Sequence, residues 1–261
     1  MNKRLGIALV ALVIWMIITV FVGKLFTDGE VSLLVAVSHG IGWSWVMAAA
    51  FILGVCLWQG WNDVGLNRWA KISDWRLAWL PMLYILAALG FAIVVGLPPA
   101  TVLIFIAINC FFVGFSEELM LRGAVLQGFR HTMSIWPAVL LTSVVFGAMH
   151  SFNVFVTGDL KQALIQSSAA FLSGIMFIAL RLRTGSLWPP IIVHAIWDFA
   201  TFTLGGATGG MHHGDLPAEA LTLAEPGALA QYVPILLVLP NAIYGLWLMR
   251  DIKRTHSDPE A

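Results

Sequence analysis

Apolar stretches about as long as a bilayer is thick recur along the whole chain, and they narrow the possible architectures to one. A helix needs about 20 mostly apolar residues to cross the hydrocarbon core. Eight such stretches are legible, at roughly 5–23, 31–58, 77–97, 103–129, 136–156, 162–180, 188–206 and 231–249. Hydrocarbon offers no partner for backbone polar groups, so each stretch must satisfy its own as a helix. The expectation is an all-α polytopic membrane bundle of about eight transmembrane helices, with residues 1–261 forming a single membrane domain. Gly96-Leu97-Pro98-Pro99 separates the third and fourth spans, and Gly158-Asp159-Leu160-Lys161 the fifth and sixth. Both are strong helix breakers. The polar segment 207–230 reads as a loop, and the chain from Thr255 as a disordered tail.

Charge supports this reading. Only 11% of the residues are charged, against about 25% in a soluble domain. The net charge is zero, which removes the case for a nucleic-acid partner and leaves the lipid bilayer as the surrounding medium. Cys56 and Cys110 lie in apolar runs and read as packing residues. Lys3 and Arg4 precede the run Leu5–Gly23, which is long for a signal peptide and lacks a small-x-small cleavage site. It reads as a retained first span.

Alternating the spans from a cytoplasmic N-terminus tests the count. Lys3, Arg4, Arg68, Lys71, Arg76, Arg130, Arg181, Arg183, Arg250, Lys253 and Arg254 then fall on the cytoplasmic side, and only Lys24 and Lys161 on the other. That asymmetry matches the positive-inside rule. It would be lost if the count were off by one. Both termini are therefore expected in the cytoplasm. Tryptophans near span ends, such as Trp58, Trp61, Trp69, Trp75 and Trp79, read as interface anchors.

The informative residues interrupt the apolar pattern. The fourth span carries Glu117, Glu118 and Arg122, the fifth carries His150, and the seventh His194 and Asp198. An acidic or basic side chain at mid-helix costs about 2.5–3.5 kcal/mol. Four such groups without partners would cost roughly 10 kcal/mol, comparable to the whole stability of a domain. They are expected to pair or to line a hydrated cavity. Counting 1.5 Å per residue from each span's midpoint places the Glu pair, His150, His194 and Asp198 within about 6 Å of one plane. Glu118 and Arg122 are four apart on one helix face, as are His194 and Asp198. Pro189 and Pro190 suit the first turn of the seventh helix.

Adjacent carboxylates in a low dielectric cannot both ionise cheaply. One can stay charged against Arg122, and the other can take a proton from water beside a histidine. A second histidine can stabilise an oxyanion. Each group also has a plainer reading: a Glu–Arg pair as structural glue, a lone histidine as a helix–helix hydrogen bond. His39 takes the latter. His212 and His213, near Asp215, read as polar loop surface. Three helices contributing ionisable groups at one depth favour a functional site.

These residues resemble the CPBP family of intramembrane proteases, which comprises CAAX proteases and bacteriocin-processing enzymes and is also called Abi. The family pattern of Glu-Glu-x-x-x-Arg, Phe-x-x-x-His and His-x-x-x-Asn/Asp on three helices is met by Glu117-Glu118-x-x-x-Arg122, Phe146-x-x-x-His150 and His194-x-x-x-Asp198. The stretch Arg183-Thr184-Gly185-Ser186-Leu187-Trp188-Pro189 is also family-like. The resemblance covers about 100–205 and implies an endopeptidase acting on a membrane-associated protein or peptide. It further implies that Glu117 and His150 activate water, that His194 and Asp198 serve the oxyanion, and that Glu118 and Arg122 orient the site.

Asp198 stands where the type II CAAX prenyl endopeptidases have Asn, and an ionised Asp cannot donate a hydrogen bond. It is either protonated, or it sets the tautomer of His194, or it ligates a metal. The His-Glu-x-x-His zinc signature is absent, so a metal-free glutamate mechanism is favoured, with a divalent metal such as zinc as the alternative. The compact chain looks bacterial in style, which favours a plasma-membrane location and a membrane-anchored peptide or precursor over a prenylated protein as substrate. Two rivals are a proton-coupled transporter, which would favour matching broken helices in two halves, and a non-catalytic adaptor or immunity protein.

Overall fold

A computed structural model describes residues 2–25, 29–209, 211 and 230–252. The histidine pair His212–His213, Asp215 and the C-terminal tail lie outside the described residues. Among the described residues no strand forms, and the helices assemble into a membrane bundle. Six are long and apolar enough to cross a bilayer: α1 (Lys3–Val22), α4 (Ile72–Val95), α5 (Ala100–Arg130), α6 (Ile135–Thr157), α7 (Leu160–Thr184) and α8 (Trp188–Thr208). Two shorter apolar helices, α3 (Trp43–Trp58) and α9 (Val233–Leu248), fall where the second and eighth spans are expected.

The outer surface is apolar, as lipid requires. Val94 is 82% exposed, and Leu86, Phe91 and Ile93 beside it are also exposed, whereas Glu118, Arg122 and Asn109 are fully buried. A water-soluble protein does not expose apolar surface on this scale. Trp58 and Trp79 are exposed at helix ends, as anchors should be. Trp61 is buried instead, because the Arg4 guanidinium covers its ring at 4.9 Å.

The expected second span is broken. Residues 31–58 form the short α2 (Leu33–Ser38), a turn through His39-Gly40-Ile41-Gly42, and then α3. The break is possible because Asn109 of α5 replaces the lost helical hydrogen bonds. Its Nδ2 donates to the carbonyls of Val37 at 2.8 Å and Gly40 at 2.7 Å, and its Oδ1 accepts from the Gly42 amide at 2.9 Å. Irregular backbone at membrane depth survives only when it is satisfied in this way. His39 lies exposed in the turn rather than between two helices.

The core that positions the site is made by α5, α6, α7 and α8. Between α5 and α8 the approach is close at Gly114. A methyl placed there would sit 3.0 Å from the Ala195 amide nitrogen and 3.2 Å from the Ile191 carbonyl oxygen. Small residues at such crossings let membrane helices pack backbone to backbone. α7 starts at the Asp159 cap, whose side chain accepts from the Gln162 amide, and ends at Gly185, which adopts φ +66°. α8 starts at Trp188 with Pro189 and Pro190 in its first turn, as their fixed φ favours.

Both described chain ends meet at one face of the bundle. Arg4 at the start of α1 and Arg181 at the end of α7 both contact Asp63, at 2.6 Å to its carboxylate and 2.7 Å to its carbonyl. Nearby, Arg183 donates to the carbonyl of Leu248 at the end of α9.

Candidate active site

α5 changes winding where its charges begin. After Glu118 the segment Leu119–Val125 is π-helical, and every residue in it is buried. π segments inside α-helices recur at functional sites. Here the widened turn still lets Arg122 reach back four residues. Its Nη1 donates to Glu118 Oε1 at 2.9 Å, with both side chains fully buried.

Glu118 Oε1 has a second partner from across the interface. His194 Nδ1 of α8 lies 2.9 Å away. A carboxylate can only accept, so Nδ1 carries the proton in this contact. The remaining nitrogen, Nε2, then faces two other carboxylates. Glu117 Oε2 is at 3.8 Å, and Asp198 Oδ2, one helical turn along α8, is at 3.4 Å. The carboxylate that holds Nδ1 is therefore Glu118, and Asp198 addresses the opposite edge of the ring.

His150 ends the α-helical part of α6. Its Nδ1 is 2.9 Å from the carbonyl of Phe146, which holds the ring and leaves Nε2 for other partners. Phe146 lies edge-on to both His150 and His194, with ring centroids 4.8 Å and 6.0 Å apart, so the two imidazoles flank one ring. The bundle thus brings together Glu117, Glu118, Arg122, His150, His194 and Asp198 from three helices. Glu117 is buried away from the acyl chains.

α7, which carries none of the motif residues, supplies the rest of the enclosure. Phe177 stacks on His194 with centroids 4.8 Å apart and planes 15° apart. The Arg122 guanidinium lies 4.1 Å above Phe146 and 5.2 Å from Phe177. Its Nη2 donates to the Gly174 carbonyl at 3.4 Å. A methyl at Gly174 would come within 3.2 Å of the Phe146 ring, so the small residue keeps room for this arrangement. Sequence reasoning missed Phe177 and Gly174. Their i, i+3 spacing on an apolar helix was the available signal, but such pairs are common in any membrane core.

Two carboxylate oxygens, Glu117 Oε2 and Glu118 Oε2, are buried without a hydrogen-bond partner among the described residues. Both are acceptors, and both are the kind of atom that can bind or deprotonate a water. Glu118 is engaged by Arg122 and His194. Among the described residues no three His, Cys, Asp or Glu side chains converge as ligands for one ion.

The family-like stretch before α8 has a structural task. The Leu187 amide donates to the Gly65 carbonyl at 2.9 Å, and Trp188 Nε1 donates to the Leu66 carbonyl at 3.0 Å. Trp188 also stacks on Trp69 at 4.4 Å. These contacts fix the start of α8, and with it the depth of His194.

Residues 99–200 match the family model described as Rce1-like, type II CAAX prenyl endopeptidase. The match contains all six motif residues, from Glu117 to Asp198. No curated protein and no solved structure matches the chain.

Proposed function

We propose that this chain, whose residues 99–200 match the Rce1-like type II CAAX prenyl endopeptidases, is an intramembrane endopeptidase of glutamate type that cleaves a membrane-anchored peptide or precursor. The supporting observation is the position of Glu117. Its carboxylate is buried and faces His194 and Asp198, and His150 flanks the same Phe146 ring as His194.

In this reading Glu117, assisted by His150, takes a proton from water. The resulting hydroxide adds to the scissile carbonyl carbon. Charge develops on the carbonyl oxygen, where His194, held as the imidazolium with Glu118 at Nδ1 and Asp198 beside Nε2, donates its Nε2–H to it. The C–N bond then breaks, and the proton held by Glu117 passes to the leaving amine. Arg122 neutralises Glu118 so that Glu117 is free to act as base. A bacterial plasma membrane, with both termini in the cytoplasm, suits the chain's charge distribution.

The test is Glu117→Ala, reconstituted in liposomes with a membrane-anchored reporter peptide. A positioned general base contributes about 100- to 10,000-fold. Cleavage should fall by at least that lower factor while insertion and the unfolding midpoint are unchanged. Cleavage at the parent rate would overturn the mechanism. In the parent protein, chelator treatment should leave cleavage unaltered, and recovery that depends on added zinc would overturn the metal-free reading.

A further inference from the structure

A second polar cluster lies at the face where both described chain ends meet, away from the candidate active site. Among the described residues, Asp63 is the carboxylate paired there. Arg4 pairs with it at 2.6 Å, and His131 approaches at 3.8 Å while also meeting Arg4 Nη1 at 3.0 Å. Arg181 donates to its carbonyl oxygen. The Arg4 guanidinium therefore holds the Asp63 carboxylate and the Arg181 guanidinium holds its backbone carbonyl.

Packing holds these charges together. Arg181 is only 6% exposed and lies against Gly65, where a methyl would come within 2.8 Å of its guanidinium carbon. Arg68, exposed, lies against Gly185, 3.2 Å from where a methyl would be. Arg130 bonds Gln127 Oε1 at 2.8 Å. Among the described residues, Arg181 Nε, Arg4 Nε and Gln127 Nε2 are buried here without a hydrogen-bond partner. All three are donors. A solvated positive surface would not bury an orphaned guanidinium nitrogen, because the lost hydrogen bond is costly. What the cluster lacks is a compact anion with several acceptor oxygens.

We propose that this cluster is a phosphate-binding site, formed by Arg181, Arg4 and Arg68 and supported by Gln127. Guanidiniums bind phosphate oxygens in pairs, with both charge and geometry matched. The ends of α1, α5 and α7 set the cluster at the level of the lipid headgroups. An anionic phospholipid and free phosphate offer the same chemistry, and they can be separated by experiment.

The full chain is purified in a neutral detergent, and its unfolding midpoint is followed during titration with phosphatidylglycerol, phosphatidylcholine, or inorganic phosphate against chloride of equal ionic strength. A ligand that binds only the folded state raises the midpoint with concentration. The phosphatidylglycerol arm should rise by at least about 4 °C above the phosphatidylcholine arm. A matching rise with inorganic phosphate assigns the site to the free ion. Arg68→Gln, an exposed position that should fold normally, should weaken the response about tenfold, and Arg181→Gln should remove it. If Arg181→Gln does not fold, Arg68→Gln decides alone. Equal responses in all arms, or an undiminished response in Arg68→Gln, overturn the proposal.

Discussion

The two polar clusters solve opposite versions of one problem. At the candidate active site, carboxylates outnumber the one arginine, and orphaned acceptors sit on Glu117 and Glu118. At the Asp63 face, among the described residues, Arg4 and Arg181 both converge on Asp63, and the orphaned atoms named there are donors. The first cluster is sealed by α5, α6, α7 and α8, with Glu118 and Arg122 fully buried. The second opens outward, with Asp63 43% exposed. Buried charge is tolerated only where a partner is fixed in place, while charge at the headgroup level can borrow partners from its surroundings. Acceptor excess inside suits proton abstraction, and donor excess at the rim suits anion capture.

The comparison is most easily broken at Arg122. If the inner cluster depends on internal pairing, removing one partner should be severe, because Glu118 is left as an uncompensated buried charge. Arg122→Met should cost about 3–5 kcal/mol, read as a lower unfolding midpoint in neutral detergent. The double variant Glu118→Gln/Arg122→Met removes both charges and should recover much of that loss. A single variant no less stable than the double one would show that Glu118 does not need its arginine.

A smaller effect is expected where backbone rather than charge positions the inner cluster. Gly114→Val adds bulk at a point where even a methyl would sit 3.0 Å from the Ala195 amide nitrogen. Overpacking of this kind costs about 1–3 kcal/mol, and it should separate Glu118 from His194. Cleavage should therefore fall further than stability predicts, while any response to anionic lipid persists. If both responses fall together, the two clusters are not independent.

The inner cluster was legible because charge inside an apolar run has few innocent explanations. Its wiring was not. Spacing suggested Asp198 as a partner able to set the tautomer of His194, but the α5–α8 crossing delivers Glu118 to Nδ1 instead, and no rule of spacing within one helix reports what a neighbouring helix presents. Phe177 and Gly174 were invisible because aromatic and small residues are ordinary in membrane helices. The break at residues 39–42 was missed for a related reason. Hydropathy registers side chains, while Gly40 and Gly42 act through a backbone that only Asn109, 67 residues away from Gly42, can satisfy. At the rim, the positive-inside pattern assigned Arg4, Arg68, Arg130 and Arg181 to one side but could not reveal that Arg4 and Arg181 meet at Asp63.

The mildest change sharpens the contrast. Asp63→Asn removes the carboxylate that pairs with Arg4 yet leaves its carbonyl to accept from Arg181. Asp63 is 43% exposed, and its pair with Arg4 is a surface ion pair, worth at most about 1 kcal/mol. In neutral detergent the unfolding midpoint should therefore barely move, in contrast to Arg122→Met at the inner cluster. If phosphate and Asp63 compete for the same guanidiniums, losing the carboxylate should strengthen the stabilisation by phosphatidylglycerol. A large loss of stability in neutral detergent would mean that Asp63 is as indispensable to its arginines as Glu118 is to Arg122, and the distinction between sealed and open charge would fail.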